Sequence, residues 1–155
     1  MYVILVGDDN TLSAPKKSRI MHKSNLIDEF WFIVNQNYNG YDMSNFTATL
    51  EYVSPVSKKH YTENLELQED KCEEFLKYLL PIDTSFTDEI GKVKLNLTFS
   101  QLDIDENGKQ FKHVRKTEDI LVEVNPISTL YDNECFNEDG FVAITNEEID
   151  AMFAV

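Results

Sequence analysis

Two cysteines, five glycines, four prolines and one tryptophan are scarce material in a chain of 155 residues. Cys72 and Cys135 make neither a disulfide framework nor a CxxC or CxxxC pair. Acids flank Cys72 (Glu69, Asp70, Glu73, Glu74), which raises a thiol pKa and blunts the sulfur as a nucleophile. Both cysteines therefore read as reduced and structural. The few glycines form no GxGxxG turn, GxxxxGK[ST] loop or GxSxG elbow. No apolar stretch approaches the roughly 18 to 20 residues that cross a bilayer. The run Met1 to Val6 has no basic lead-in and stops at Gly7-Asp8-Asp9, so a secretory signal is not expected.

Basic residues are also scarce. Fourteen Lys and Arg face 28 Asp and Glu, a formal net charge of −14. Nucleic-acid binding begins with a basic surface that displaces counterions from phosphate, so this balance argues against it. An anionic membrane surface is disfavoured on the same ground. The acids are unevenly placed: residues 1–116 carry 18 acidic and 14 basic side chains, whereas residues 117–155 carry ten acids and no Lys or Arg. A single-sign segment of this kind stays solvated or meets a basic partner. What is plentiful is apolar: 42% of residues, with 12% aromatic, enough for a folded core despite the charge.

Period-two patterns dominate the first 125 residues and predict strands. Tyr2 to Val6 opens the chain as a short strand. Glu29 to Val34 is a β-rich run with Trp31 as the expected central core residue, and Asn37 to Gly40 is a turn. Phe46, Ala48, Leu50 and Tyr52 share one face of the next strand. His60 to Leu67 follows after Pro55. In Lys92 to Ser100, Val93, Leu95, Leu97 and Phe99 face a core, and Lys, Asn, Thr and Ser face water. Asp105-Glu106-Asn107-Gly108 is a hairpin turn in which Asn-Gly supplies positive φ. Gln110 to Thr117 and Ile120 to Val124 close the pattern.

Gln68 to Leu80 fits two periods. A helical turn at Glu69–Glu74 leading into a strand ended by Pro81 reconciles them. Thr145-Asn146-Glu147-Glu148 matches a capping box ahead of Ile149, Met152 and Phe153, a helix too short to stand without docking. The expected fold is an antiparallel β-sandwich over residues 1–127. An acidic extension with a short docking helix follows over 128–155.

Signs of chemistry are few. Asp103 to Gly108 fits the first half of an EF-hand calcium loop, but Val114 stands where the closing Glu belongs and the flanks alternate as strands. His22, His60 and His113 share no metal-ligand spacing. Two sequons, Asn45-Phe46-Thr47 and Asn96-Leu97-Thr98, matter only in a eukaryotic secretory pathway. Ala14-Pro15-Lys16-Lys17-Ser18-Arg19 reads as a solvated loop, with an anchor for an acidic neighbour as its functional alternative. No catalytic residue, metal site or cofactor is expected, and the chain reads as no enzyme.

The order of features carries a resemblance. Tyr2 to Val6, Phe30 to Val34, Thr47 to Tyr52, Tyr78 to Asp83, the corner Thr87 to Gly91, Lys92 to Phe99 with its Asn-Gly hairpin, and Val114 to Thr117 follow one another in sequence. Over about residues 1–127 this arrangement resembles the N-terminal domain of phage baseplate upper proteins and related tail-fibre attachment modules. The resemblance implies an immunoglobulin-like β-sandwich that docks other tail, baseplate or fibre proteins, usually as a trimer. It implies a virion protein made in the host bacterial cytoplasm and brings no catalytic residues with it. The long fibre-forming region common in such proteins does not follow Val155, so the expected role is an adaptor, or the ordered part of a longer protein.

Two other readings stand beside it. The net charge of −14 permits an acidic DNA mimic that blocks a host DNA-binding protein. Tyr38, Tyr41, Tyr52, Tyr61 and Tyr131 could offer stacking platforms for a carbohydrate-binding module. In the structural reading, the partner-binding residues are Phe136, Phe141, Val142, Ile144, Ile149, Met152 and Phe153, apolar groups too costly to leave wet on an acidic arm, which are expected to dock on their own sandwich or on a neighbouring subunit. Truncation after Pro126 is therefore expected to leave a folded body and to weaken assembly by sedimentation. Equal assembly of both forms would refute the arm.

Overall fold

The computed structural model describes residues 1–69 and 73–126. The strands are β1 (Tyr2–Val6), β2 (Leu12–Lys16), β3 (Ile20–Met21), β4 (Glu29–Asn35), β5 (Asn37–Tyr38), β6 (Tyr41–Asp42) and β7 (Thr47–Val53). They continue as β8 (His60–Asn64), β9 (Glu66–Leu67), β10 (Phe75–Pro81), β11 (Gly91–Ile104), β12 (Gln110–Lys116) and β13 (Ile120–Asn125). A 3-10 turn at Met43–Asn45 and a four-residue helix α1 (Thr84–Thr87) complete the described elements. The first sheet runs β2-β1-β4-β10-β9 and the second β3-β13-β11-β7-β8, with β12 beside the far half of β11. The fold is an all-β sandwich, and Met1–Asn125 form one unit.

Alternation explains why the two sheets close on each other. Val93, Leu95, Leu97 and Phe99 of β11 are buried, as are Phe46 just before β7 and Ala48, Leu50 and Tyr52 along it, and both sets face the first sheet. The first sheet answers with Tyr2, Ile4 and Val6 from β1, Phe30, Phe32 and Val34 from β4, and Leu76 and Tyr78 from β10. Aromatic rings bridge the layers: Tyr78 lies 6.2 Å from Phe99, while Phe86 of α1 meets both Phe30 and Tyr52 at 5.1 Å. Each such buried side chain contributes about 1.5–3 kcal/mol, which makes this the dominant stabilising contact. The Asp83 carboxylate accepts the Ser85 N–H at 3.0 Å, capping the helix that holds Phe86 in place.

Several expectations need correction. Trp31 is not the core residue of β4: Phe30, Phe32 and Val34 point inward, so Trp31 and Ile33 point outward. An uninterrupted apolar run contains no polar residue to fix its parity, and a shift of one residue exchanges the faces. The segment from His60 to Leu67 is two strands in different sheets, divided at buried Leu65, whose N–H donates to the Ala48 carbonyl at 3.0 Å. Ala14 to Lys16 lies in edge strand β2 rather than in a loop, and an edge tolerates Pro15. Not every pair is antiparallel, since β1–β4 and β3–β13 run parallel. Periodicity reports which face a side chain takes but not the direction of the neighbouring strand.

The turns divide similarly. Asn39 (φ 52°) and Gly40 (φ 85°) make the tight β5–β6 turn with two left-handed residues. At the β11–β12 turn Gly108 takes φ 80°, while Asn107 does not have positive φ. Asp105 Oδ1 instead accepts the Asn107 and Lys109 N–H groups at 2.9 and 2.8 Å, building a longer loop that needs one left-handed residue. Strand β10 begins at Phe75 as expected, and the helical turn at Glu69–Glu74 falls partly outside the described residues. The acidic extension, its helix, Cys72 and Cys135 also lie outside them.

The Tyr78 hydroxyl is buried without a hydrogen-bond partner among the described residues. Burial, then the Asp42 charge, pushes its pKa up to about 12. In the unfolded chain a phenol ionises near pH 10, roughly two units lower. Between those values only the unfolded state sheds the proton, so stability present below pH 10 is lost as pH rises toward 12. Tyr78→Phe removes this loss along with an unpartnered hydroxyl. Urea unfolding should show it within about 1 kcal/mol of wild type at pH 7, with an advantage that grows above pH 10.

Candidate protein-docking surfaces

The outer face of the first sheet is apolar across three strands. Register places Val3 beside Trp31 and Leu5 beside Ile33 on the β1–β4 pair. On the β10–β4 pair it places Leu79 beside Trp31 and Lys77 beside Ile33. Cross-strand partners share a face, so Val3, Leu5, Trp31, Ile33 and Leu79 form one patch, with Phe75 at its end. Leu5 and Phe75 are 38% and 40% exposed, more than a core residue allows. Lys77 Nζ stands 5.0 Å from the Trp31 ring centroid, and Met1, Val3, Trp31, Ile33 and Lys77 line a shallow cavity of about 150 Å³. The Trp31 Nε1 donor is buried and lacks an acceptor among the described residues.

A second surface projects from the other sheet. Strand β7 ends at Thr47 opposite Ser100, but β11 continues to Ile104, paired with β12 alone. This leaves a two-stranded ribbon whose outer edges pair with no other strand among the described residues. Leu102, Ile104 and Val114 share one face of the ribbon, and Phe111 opposite Asp103 lies on the other. Leu102, Ile104 and Val114 are each more than half exposed. Free strand edges bearing apolar side chains invite pairing with another chain, and proteins usually blunt them.

The basic cluster makes a third feature. Lys17, Ser18 and Arg19 link β2 to β3 and, with Lys92, Leu121, Glu123 and Asn125, line a groove of about 420 Å³. Arg19 Nη2 donates to Asn125 Oδ1 at 3.3 Å. Lys17 and Arg19 are exposed on this loop, as expected of a solvated segment, and the Arg19 bond ties it to β13.

Other residues singled out in the sequence are dispersed. Asp103 Oδ1 accepts its neighbour's N–H at 2.8 Å, its Oδ2 lies 3.5 Å from His113 Nε2, and Asp105 serves its own turn. These oxygens do not converge as calcium ligands do. His22 Nε2 approaches the Asp88 carbonyl oxygen at 3.0 Å, and His60 pairs across from Val53. Tyr52 is buried and stacks on Tyr61 at 5.0 Å, Tyr38 lies beneath Arg115, and Tyr41 is exposed. Tyr131 and the partner-binding set Phe136, Phe141, Val142, Ile144, Ile149, Met152 and Phe153 lie outside the described residues.

Sequence reasoning missed both apolar surfaces, although each left a trace. The outer face shows as unbroken apolar runs in Val3–Val6 and Phe30–Val34, where a half-exposed strand would alternate. The ribbon shows as a change of parity: β11 buries odd-numbered residues through Phe99, then places Leu102 and Ile104 at even positions.

No protein-family model matches the chain, and no curated protein matches it. Among solved structures it is similar to the "N-terminal domain of phage TP901-1 ORF48" at 11% identity, covering 80% of this chain and 95% of that one with a TM-score of 0.44.

The inward and outward faces of β4 should respond differently to substitution. Phe32→Ala is expected to cost about 3–5 kcal/mol in urea unfolding because it empties a fully buried site. Ile33→Glu, one residue along on the outer face, should cost less than about 1 kcal/mol.

Proposed function

We propose that this protein is a non-enzymatic structural adaptor of a phage tail or baseplate, which holds neighbouring virion proteins by surface complementarity. The observation that carries the reading is the apolar outer face of the first sheet. A strand that is apolar on both sides is normally covered on both sides. Here the inner side of β1 and β4 packs in the sandwich, and Val3, Leu5, Trp31, Ile33 and Leu79 form the second side. Covering that patch with a neighbour supplies the hydrophobic driving force for assembly. The β11–β12 ribbon offers further strand edges on the other sheet. Placement in a tail or baseplate, and a trimeric state, rest on the order of features in the sequence.

The acidic segment beyond Pro126 is the arm of this adaptor. Its Phe136, Phe141, Val142, Ile144, Ile149, Met152 and Phe153 clasp a neighbouring subunit, and its carboxylates keep the free chain soluble.

Light scattering and sedimentation of the full chain, alone and mixed with the products of neighbouring genes, test the reading. A heavier complex is expected with a tail or baseplate protein, and Ile33→Glu should weaken it at least tenfold without unfolding the chain. Capture of a nuclease or polymerase in place of a tail protein, or neither self-association nor any complex, would overturn the proposal.

A further inference from the structure

Arg115 is the one buried charged residue among the described residues, at 7% exposure. Its guanidinium lies 3.5 Å from the Tyr38 ring centroid and 5.7 Å from that of Phe99. Its hydrogen bonds go to neutral oxygens: Nε donates to Asn10 Oδ1 at 2.7 Å and Nη2 to the Gly7 carbonyl at 3.1 Å. Nη1 is buried with no partner, and no carboxylate pairs with the guanidinium among the described residues. A buried cation is ordinarily matched by an anion, because neutral acceptors and ring faces repay only part of its lost hydration. Burial accordingly pushes the Arg115 pKa down, although the Asp8 carboxylate and Tyr38 oppose the shift. Asp8 is itself held by Asn35 Nδ2 at 3.1 Å.

Arg115 also lines a cavity. Tyr38, Tyr41, Met43, Phe46, His113 and Val114 complete its wall around about 150 Å³. Pockets for drug-sized ligands begin at roughly 300 Å³, so this one suits a single side chain. The wall is built rather than incidental: Tyr41 meets Phe46 edge-on at 6.0 Å and His113 at 5.2 Å, and His113 meets Phe111 at 5.2 Å. The cavity opens at the root of the β11–β12 ribbon, where an extended chain could pair with a free edge.

We propose that this cavity receives one glutamate or aspartate side chain from an extended segment of a neighbouring protein, whose carboxylate completes the Arg115 guanidinium. The inference rests on the adaptor reading and names the chemistry of its partner. An arginine held flat against an aromatic ring presents a preorganised fork of donors, the geometry that recognises carboxylate. The aromatic wall excludes water and strengthens the pairing.

The test uses the full chain and two acetylated, amidated pentapeptides, Thr-Val-Glu-Val-Thr and its Gln counterpart, at constant ionic strength. NMR follows the Arg115 Nε–H and the Tyr41 ring. The Glu peptide should produce saturable shifts at both positions and bind at least tenfold more tightly than the Gln peptide. Arg115→Lys should abolish that preference, and Tyr41→Ala should weaken binding severalfold. Equal binding of the two peptides, or no saturable shift, overturns the proposal even if Arg115→Lys does not fold. Because this readout needs no virion protein, its failure is separate from failure of the adaptor reading in the assembly experiment.

Discussion

Contact between the inner faces of the two sheets is the interaction on which everything else in this molecule depends. Strand β11 organises it. Its first half pairs with β13 on one side, its middle with β7 on the other, and its far half with β12. Val93, Leu95, Leu97 and Phe99 thereby line the core along a single strand. Phe86 wedges between Phe30 of one layer and Tyr52 of the other, so a short helix seals one margin of the sandwich. Once the inner residues are committed, their alternate neighbours have no choice of face. Trp31 and Ile33 point outward because Phe30 and Phe32 point inward.

That constraint turns sequence into surface. A sandwich needs one apolar face per sheet, and the second sheet obeys: the outward side chains along β11 are Lys92, Lys94, Asn96, Thr98 and Ser100 before the ribbon begins. The first sheet exceeds the requirement, since β1 and the middle of β4 are apolar on both sides. Extra apolar surface costs solubility, and the chain tolerates it while carrying a net charge of −14.

Arg115 joins the second sheet to the Gly7–Asn10 turn of the first. Its bonds to Asn10 and Gly7, together with the Asn10 Nδ2 to Tyr38 hydroxyl bond at 3.0 Å, tie β12, the β1–β2 turn and β5 into one network. The ribbon therefore leaves the sandwich from a braced root. In sequence, Arg115 is one basic residue among Lys112, Arg115 and Lys116, with nothing to mark it as buried. Its odd position on β12, opposite Phe99, turns it inward.

Much of the architecture was legible in the residues themselves. Apolar runs located β1 and β4, and alternation located β7, β12 and β13, to within a residue or two, while β11 was expected to stop at Ser100, four residues short of its end. Alternation also identified the inner faces of β7 and β11, because polar side chains at every second position leave one way to exclude water. The sequence by itself determined an all-strand body, an acidic C-terminal quarter and the turn chemistry at Asn39-Gly40 and Gly108. Only the tertiary structure decided the parity of the unbroken runs in β1 and β4, the parallel pairs β1–β4 and β3–β13, the change of sheet at Leu65 and the burial of Arg115. Periodicity is a local property of one strand. Which side of an all-apolar strand is covered, and which neighbour lies beside it, depends on residues far away in the chain.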